Sequence, residues 1–204
     1  MMEEQPSTTR LLSEAIAGDL PQLGRLLERY RHYLRVLARI EIGRRLQAKV
    51  DASDLVQETL LEAHRHFGSF QGRSEGQFAC WLRQIMAASL ANLLRHYYGT
   101  QARDIRLERD LALSLDHSSV LLDRGLVDPR SSPSHQAHRN EQALLLADVL
   151  AELPEDYREV LLLRHFESLS FPQIAQRMQR SQDSVEKLWV RGLARVRRSL
   201  GGVL

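Results

Sequence analysis

Apolar residues recur every three or four positions along most of the chain, which is the spacing of an α-helix rather than a β-strand. The first apolar face ends near Ile42 and Gly43, and its members are Leu23, Leu26, Leu27, Tyr30, Leu34 and Leu37. We find no pair of alternating segments that would build a sheet. The pattern therefore predicts an all-α fold.

Residues that cap helix ends predict where two further helices begin. Ser53 is a preferred N-cap, and Asp54 after it suits the positive end of a helix dipole. The buried face of this helix is predicted to be Leu55, Val56, Thr59, Leu60 and Ala63. Ser74 and Gln77 have the spacing of a capping box and predict the start of another helix. Its apolar face is predicted to be Phe78, Trp81, Leu82, Ile85, Met86, Ser89, Leu90 and Leu93.

A serine-rich stretch with two prolines and little periodicity follows, from about Asp116 to Asn140. We interpret it as a flexible linker between two small helical domains. The expected division is an N-terminal domain over residues 1–108, a linker over 109–139 and a C-terminal domain over 140–204.

The C-terminal domain carries the pattern of a helix-turn-helix. Ser170, followed by Phe171 and Pro172, is expected to begin a short helix, and Ser181 is expected to cap a longer one after a tight turn. Gln179 lies in that turn, where a positive φ is expected. The outer face of the long helix is predicted to be Ser184, Lys187, Arg191, Arg195 and Arg198.

Charge supports a nucleic-acid partner only when it is examined by segment. The chain has 28 basic and 26 acidic residues, a net charge of +2, and Lys49 and Lys187 are its only lysines. From Lys187 to the C-terminus five residues are basic and none is acidic. A basic stripe alone is often a solvated face, whereas a stripe on the second helix of a helix-turn-helix favours DNA binding.

Several classes of function are not expected. The single cysteine, Cys80, cannot form an internal disulfide. No apolar run approaches the roughly 20 residues that span a bilayer, and the polar N-terminus does not have the order of a signal peptide. We therefore expect a cytoplasmic protein without membrane insertion.

No catalytic, metal or cofactor site is expected either. The pairs His64/His66 and His135/His138 have no cysteine or carboxylate partners at ligand spacing. We find no glycine-rich phosphate loop and no nucleophile elbow. The sequence therefore does not predict an enzyme.

Four segments of the sequence resemble segments that occur in the same order in extracytoplasmic-function (ECF) sigma factors of the sigma-70 family. They are DASDLVQETLLEAHRHFGSFQG, FACWLRQI, SSPS, and LPEDYREVLLLRHFESLSFPQIAQRM with the helix after it. The resemblance covers residues 17–106 and 140–200. It implies a protein that binds core RNA polymerase and directs promoter-specific initiation, melting the −10 element and recognising the −35 element.

The resemblance also implies which residues do this work. Residues expected to face core RNA polymerase are Asp54, Gln57, Glu58 and Glu62. Residues expected to capture a flipped base or hold single-stranded −10 DNA are Phe70, Arg73, Arg83, Arg95, Tyr97 and Arg103. The basic stripe is expected to contact double-stranded −35 DNA, and the family makes an anti-sigma factor a candidate partner.

Two alternatives remain at this point. One is a stand-alone helix-turn-helix regulator with an N-terminal dimerisation domain, which would bind a palindrome without polymerase. The other is a helical adaptor without a nucleic-acid role.

Overall fold

The computed structural model describes residues 6–45, 51–98, 105–124 and 136–201, and every regular element in these ranges is helical. The predicted all-α fold is confirmed. In chain order the helices are α1 (Thr8–Ile16), α2 (Leu20–Arg29), α3 (Arg31–Arg45), α4 (Ala52–His66), α5 (Glu75–Tyr98), α6 (Ile105–Arg124), α7 (Gln136–Glu152), α8 (Glu155–His165), α9 (Phe171–Arg177) and α10 (Gln182–Gly201), with a 3-10 turn at Phe67–Ser69 after α4.

The N-terminal bundle buries the predicted apolar faces. All six members of the first face are at most 5% exposed. The chain bends at Tyr30, which lies between α2 and α3 and has a fully buried ring. That ring packs edge-on against Tyr33 and Phe78, with centroids 6.0 and 5.2 Å away. A single predicted face is thus shared by two helices that meet at an aromatic cluster.

The structure corrects one helix start and confirms another. Helix α4 begins at Ala52, and Asp51 is its N-cap, with its carboxylate accepting a hydrogen bond from the Ser53 N–H at 2.8 Å. The predicted cap, Ser53, lies inside the helix because Asp51 already satisfies that donor. At the start of α5, Gln77 Oε1 accepts from the Ser74 N–H and Ser74 Oγ accepts from the Gln77 N–H, so the capping box is confirmed.

The largest difference from the sequence prediction lies in the predicted linker. Residues 109–124 are the greater part of helix α6, and α7 begins at Gln136 instead of residue 140. The leucines on the inner face of α6, Leu111, Leu115 and Leu122, are fully buried. Ser118 and Ser119 are buried beside them, so serines that suggested a linker are part of a packed helix. The remaining part of the predicted linker, including SSPS, lies outside the described residues.

Helix α7 packs against both halves of the molecule, contacting α3, α5 and α6 on one side and α10 on the other. Ala143, Ala147 and Leu150 on this helix are fully buried, and burying a leucine side chain contributes about 1.5–3 kcal/mol. Polar contacts at its edge join the halves further, because Arg29 and His32 both contact the Asp148 carboxylate, at 2.6 and 2.9 Å.

Candidate nucleic-acid interface

Helices α9 and α10 form the predicted helix-turn-helix. The N–H and Oγ of Ser170 donate to Gln173 Oε1 at 2.8 and 2.7 Å, which satisfies the start of α9. Ser181 Oγ accepts from the Ser184 N–H at 3.3 Å and caps α10. Gln179 has a φ of 53°, so the expected left-handed residue in the turn is confirmed.

Close packing fixes how α10 lies on α8. Gly192 is buried, and a Cβ built on it would lie 3.3 Å from Leu161 Cδ1, so a side chain there would require Leu161 to shift. Val185 and Val196 on the same face of α10 are fully buried. The opposite face of α10 is therefore held toward solvent in a defined orientation.

An aromatic group stabilises the same junction. The Trp189 indole donates from Nε1 to His165 Nε2 at 3.0 Å, and the two rings are stacked. Phe171 packs edge-on against Trp189, and the Arg164 guanidinium lies over the Phe171 ring. Burial, and then the charge of Arg164, lowers the pKa of His165, which favours the neutral ring that this hydrogen bond requires.

The basic stripe lies on the exposed face of α10. Lys187, Arg191, Arg195 and Arg198 are exposed, and Ser184 is half-buried near the N-terminal end. Lys187 pairs with Asp183 at 2.7 Å, and the Arg195 guanidinium lies 5.2 Å from the centre of the Tyr157 ring. Both pairs are open to solvent and keep the cations on the outer surface. A helix with this face can enter a DNA major groove.

The outer face of α4 is acidic and polar. Asp54, Gln57 and Glu58 are exposed, as the sequence predicts. Glu62 differs from them because it is half-buried and accepts from Arg65 at 2.5 Å, with His66 3.2 Å away. The open part of this face is therefore the first two turns of the helix.

The loop after α4 is built on an aromatic cluster. Phe70 packs against Phe67, Phe78 and Trp81, with ring centroids 5.2–5.9 Å away. Gly72 lies so close to the Phe70 ring that any side chain there would collide with it. Arg73 is exposed next to this cluster, and its backbone N–H donates to Gln77 Oε1 at 2.8 Å. The loop thus presents a partly buried aromatic surface beside a cation.

The predicted single-strand residues of α5 do not form one open surface. Tyr97 is 48% exposed, but the Arg83 side chain is only 13% exposed and the Arg95 side chain 16%. Arg103 lies outside the described residues.

The partners of these two arginines are acidic residues of α6, which sequence reasoning missed. Arg83 Nε donates to Asp116 Oδ1 at 2.6 Å, and Arg95 lies 3.4 Å from Glu108. Arg83 Nη1 also donates to the Tyr33 hydroxyl at 2.8 Å. Burial alone would lower the pKa of Arg83, but the Tyr33 hydroxyl and the Asp116 carboxylate outweigh burial and raise it.

Two kinds of feature are absent from the residues that the structure describes. No group of three or more histidine, cysteine, aspartate or glutamate side chains there could hold a metal ion. No helix in the described ranges has the length and apolar character needed to cross a membrane.

Comparison with known proteins identifies both halves of the chain. A family model described as sigma-70 region 2 matches residues 27–99, from the end of α2 to the end of α5. A second model, sigma-70 region 4, matches residues 143–196, which include the helix-turn-helix.

Individual relatives match nearly the full length. The ECF RNA polymerase sigma-E factor of Haemophilus influenzae is 29% identical over 177 residues, covering 87% of this chain and 86% of that protein. The RNA polymerase sigma-H factor of Pseudomonas aeruginosa is 30% identical over 178 residues, covering 87% and 86%. A chain in a solved structure of an RsbN–BldN complex is 23% identical over 92% of this chain and 97% of that one, with a TM-score of only 0.31.

The two region matches, in the order that the sequence predicts, agree with the helix-turn-helix and its exposed basic stripe. The chain belongs to the sigma-70 family, in its ECF group, and is a promoter-directing sigma factor whose partners are core RNA polymerase and promoter DNA.

Proposed function

We propose that the basic stripe of α10 recognises the −35 element as double-stranded DNA. The observation that carries this proposal is that the stripe is exposed on the second helix of a helix-turn-helix whose other face is buried. Lys187 and Arg191 are nearer the N-terminal end and suit guanine acceptors in the major groove. Arg195 and Arg198 suit phosphates, which set position but carry no sequence information. Ser184, half-buried near the N-terminal end of α10, is the fifth residue of this proposed surface.

The outer face of α4 is the proposed contact with core RNA polymerase. Asp54, Gln57 and Glu58 are exposed at its open end and complement a basic surface, such as the coiled coil of the largest subunit that the family resemblance implies. Glu62 contributes less in this proposal, because Arg65 and His66 already contact its carboxylate.

The loop and the adjoining end of α5 are the proposed contact with single-stranded −10 DNA. Phe70 and its aromatic neighbours supply a surface on which a flipped base can stack, and Arg73 beside them supplies a charge for phosphate. Tyr97 is open to the same role at the far end of α5. Arg83 and Arg95 belong to this surface once their carboxylate partners move away, and Arg103 completes the predicted group.

These assignments give the two halves of the chain different binding roles. Residues 1–108 would bind polymerase and the −10 element, and residues 140–204 would bind the −35 element. Polymerisation chemistry would belong to the core enzyme, so the chain itself would act without a catalytic group or cofactor and in the cytoplasm. An anti-sigma factor remains a candidate partner.

Reconstituted transcription tests the residue assignments directly. Glu58→Lys should weaken core binding and reduce all transcripts equally, since an acidic contact becomes repulsive. Glu141→Lys, at an exposed position on α7, changes the charge by the same amount and should leave core binding and transcript levels unchanged. Permanganate reactivity of unpaired thymines in the −10 element should fall for Arg73→Ala while core binding is retained. Equal effects of Glu58→Lys and Glu141→Lys would contradict the α4 assignment.

A further inference from the structure

Helix α6 covers the face of α5 that carries Arg83 and Arg95. It packs against α3, α5 and α7 through the three buried leucines named above. It is also joined to α3 by two polar contacts, since Tyr33 donates to Ser119 Oγ at 2.9 Å and Ser114 donates to the buried Glu41 carboxylate at 2.7 Å. These contacts show that α6 is packed into the N-terminal helical bundle.

The acidic residues of α6 contact the two arginines that the proposed function assigns to single-stranded DNA. Asp116 accepts from Arg83 at 2.6 Å and Glu108 lies 3.4 Å from Arg95, so each cation faces a carboxylate. Both pairs join the same two helices, one near the middle of α5 and one near its C-terminal end. Each arginine has little exposed surface, and at least one of its N–H groups already donates to a carboxylate, so a phosphate has little access to it while α6 is in place.

The other proposed surfaces are open in the same structure. The stripe on α10 and the first turns of α4 are exposed, with only local pairs within their own helices or with neighbouring side chains. The molecule therefore presents surfaces for polymerase and duplex DNA while α6 covers one for single-stranded DNA.

We propose that α6 is an autoinhibitory helix: Asp116 and Glu108 occupy the cations of α5 in the free protein, and α6 is displaced when a melted strand replaces them. This inference rests on the proposed function, which assigns Arg83 and Arg95 to single-stranded DNA. Displacement of α6 exposes its buried leucines to water, which costs free energy. The displaced state is therefore favourable only when contacts with polymerase and DNA offset that cost. The helix thus limits strand binding to the assembled complex.

Single-strand affinity of the full-length protein tests the charge substitution. The double variant Asp116→Asn/Glu108→Gln should bind a fluorescein-labelled single-stranded DNA of about 16 nucleotides roughly tenfold more tightly than the unmodified protein, because the binding-competent state becomes more populated. The matched control is Glu14→Gln/Glu28→Gln, which removes the same charge from pairs with Arg10 and Arg31 on α1–α3. The control should gain at most about threefold from net charge alone. An equal gain in both would overturn the proposal.

A distance measurement tests the displacement and does not depend on whether the first variant folds. Spin labels at Gln84 on α5 and His117 on α6, both exposed, are introduced in a Cys80→Ser background. In the free protein the distance between the two spin labels should be short and single. In the complex with core polymerase and a pre-melted promoter, the distance between the labels should be longer. An unchanged distance in a complex that makes transcript would overturn the proposal while leaving the proposed function intact. If the protein starts no transcript, the proposed function fails, and the affinity comparison on the free protein still decides whether α6 covers a strand-binding face.

Discussion

The side-chain amide of Asn140 donates a hydrogen bond of 2.8 Å to the Tyr30 hydroxyl, which joins the beginning of the C-terminal half to the aromatic core of the N-terminal bundle. The same amide lies 3.2 Å from Glu75 Oε2 at the start of α5. Burial raises the pKa of Tyr30, so the hydroxyl stays protonated and accepts this bond as a neutral group. Helices α5 and α7 and the bend between α2 and α3 therefore meet at one buried polar contact.

Asn140→Ala should destabilise the whole molecule. The substitution leaves a buried hydroxyl and part of a carboxylate without a donor, which costs about 1–3 kcal/mol. Urea unfolding of the full chain, followed by circular dichroism, measures the change in free energy. Gln142→Ala, two residues along on the exposed side of α7, is the control and should change it by less than about 0.5 kcal/mol. Equal values for the two variants would show that the contact does not join the halves.

Gln179→Gly should stabilise the helix-turn-helix. Gln179 has a φ of 53°, which costs a residue with a side chain about 1–2 kcal/mol and costs glycine little. Glycine also gives the unfolded chain more conformational entropy, which offsets part of this effect. The free energy of unfolding is therefore expected to rise by up to about 1 kcal/mol. Gln176→Gly, exposed inside α9, should instead lose about 1 kcal/mol. If thermal unfolding shows both variants destabilised alike, the turn is not strained.

Local features of this fold could be predicted from sequence, and those that depend on distant residues could not. The buried helix faces, the capping box of Ser74 with Gln77 and the left-handed Gln179 all follow from neighbours a few positions apart. Helix α6 was missed because its serines and acids find partners far along the chain. Asp116 pairs with Arg83, 33 residues earlier, and Ser119 accepts from Tyr33, 86 residues earlier.

In the candidate site, too, features set by nearby residues could be predicted and features set by distant residues could not. The basic stripe of α10 is a property of helical spacing, so its exposure could be predicted from the sequence. Whether Arg83 is open to DNA depends on α6, whose packing the sequence pattern does not reveal.

The pH dependence of stability should report the burial of the His165 ring, whose neutral form accepts the Trp189 hydrogen bond. The pKa of His165 is lowered in the folded state, so the unfolded chain binds a proton first as pH falls. The contribution of His165 to the free energy of unfolding is complete above its unfolded pKa of about 6.5 and is lost as pH falls through its folded pKa. The loss is about 1.4 kcal/mol for each unit by which the two pKa values differ.

Urea unfolding at pH values of about 7.5 and 5.5 measures this loss. His165→Gln keeps an acceptor for the indole but has no titrating ring, so its stability should fall less between the two values. His117→Gln, at an exposed position on α6, should behave as the unmodified protein does. An unchanged pH dependence in His165→Gln would contradict the role assigned to the ring.

Two substitutions in the basic stripe should separate base recognition from phosphate contact. Arg191→Ala should lower binding of the polymerase complex to the preferred −35 sequence by about 1–3 kcal/mol and relax the preference at one position. Arg198→Ala should weaken binding to all sequences alike and reduce its salt dependence by about one phosphate contact. Competition binding with −35 variants at several salt concentrations measures both. Sequence-independent losses of equal size would contradict base recognition by Arg191.

Run-off transcription with purified core RNA polymerase tests the central claim most directly. The chain should direct discrete transcripts from promoters recovered with the polymerase complex, while core enzyme alone should give none at those positions. Transcripts should diminish when Arg191→Ala replaces the unmodified protein. The account is contradicted if no specific transcript starts on any such DNA while the protein alone occupies a palindromic site.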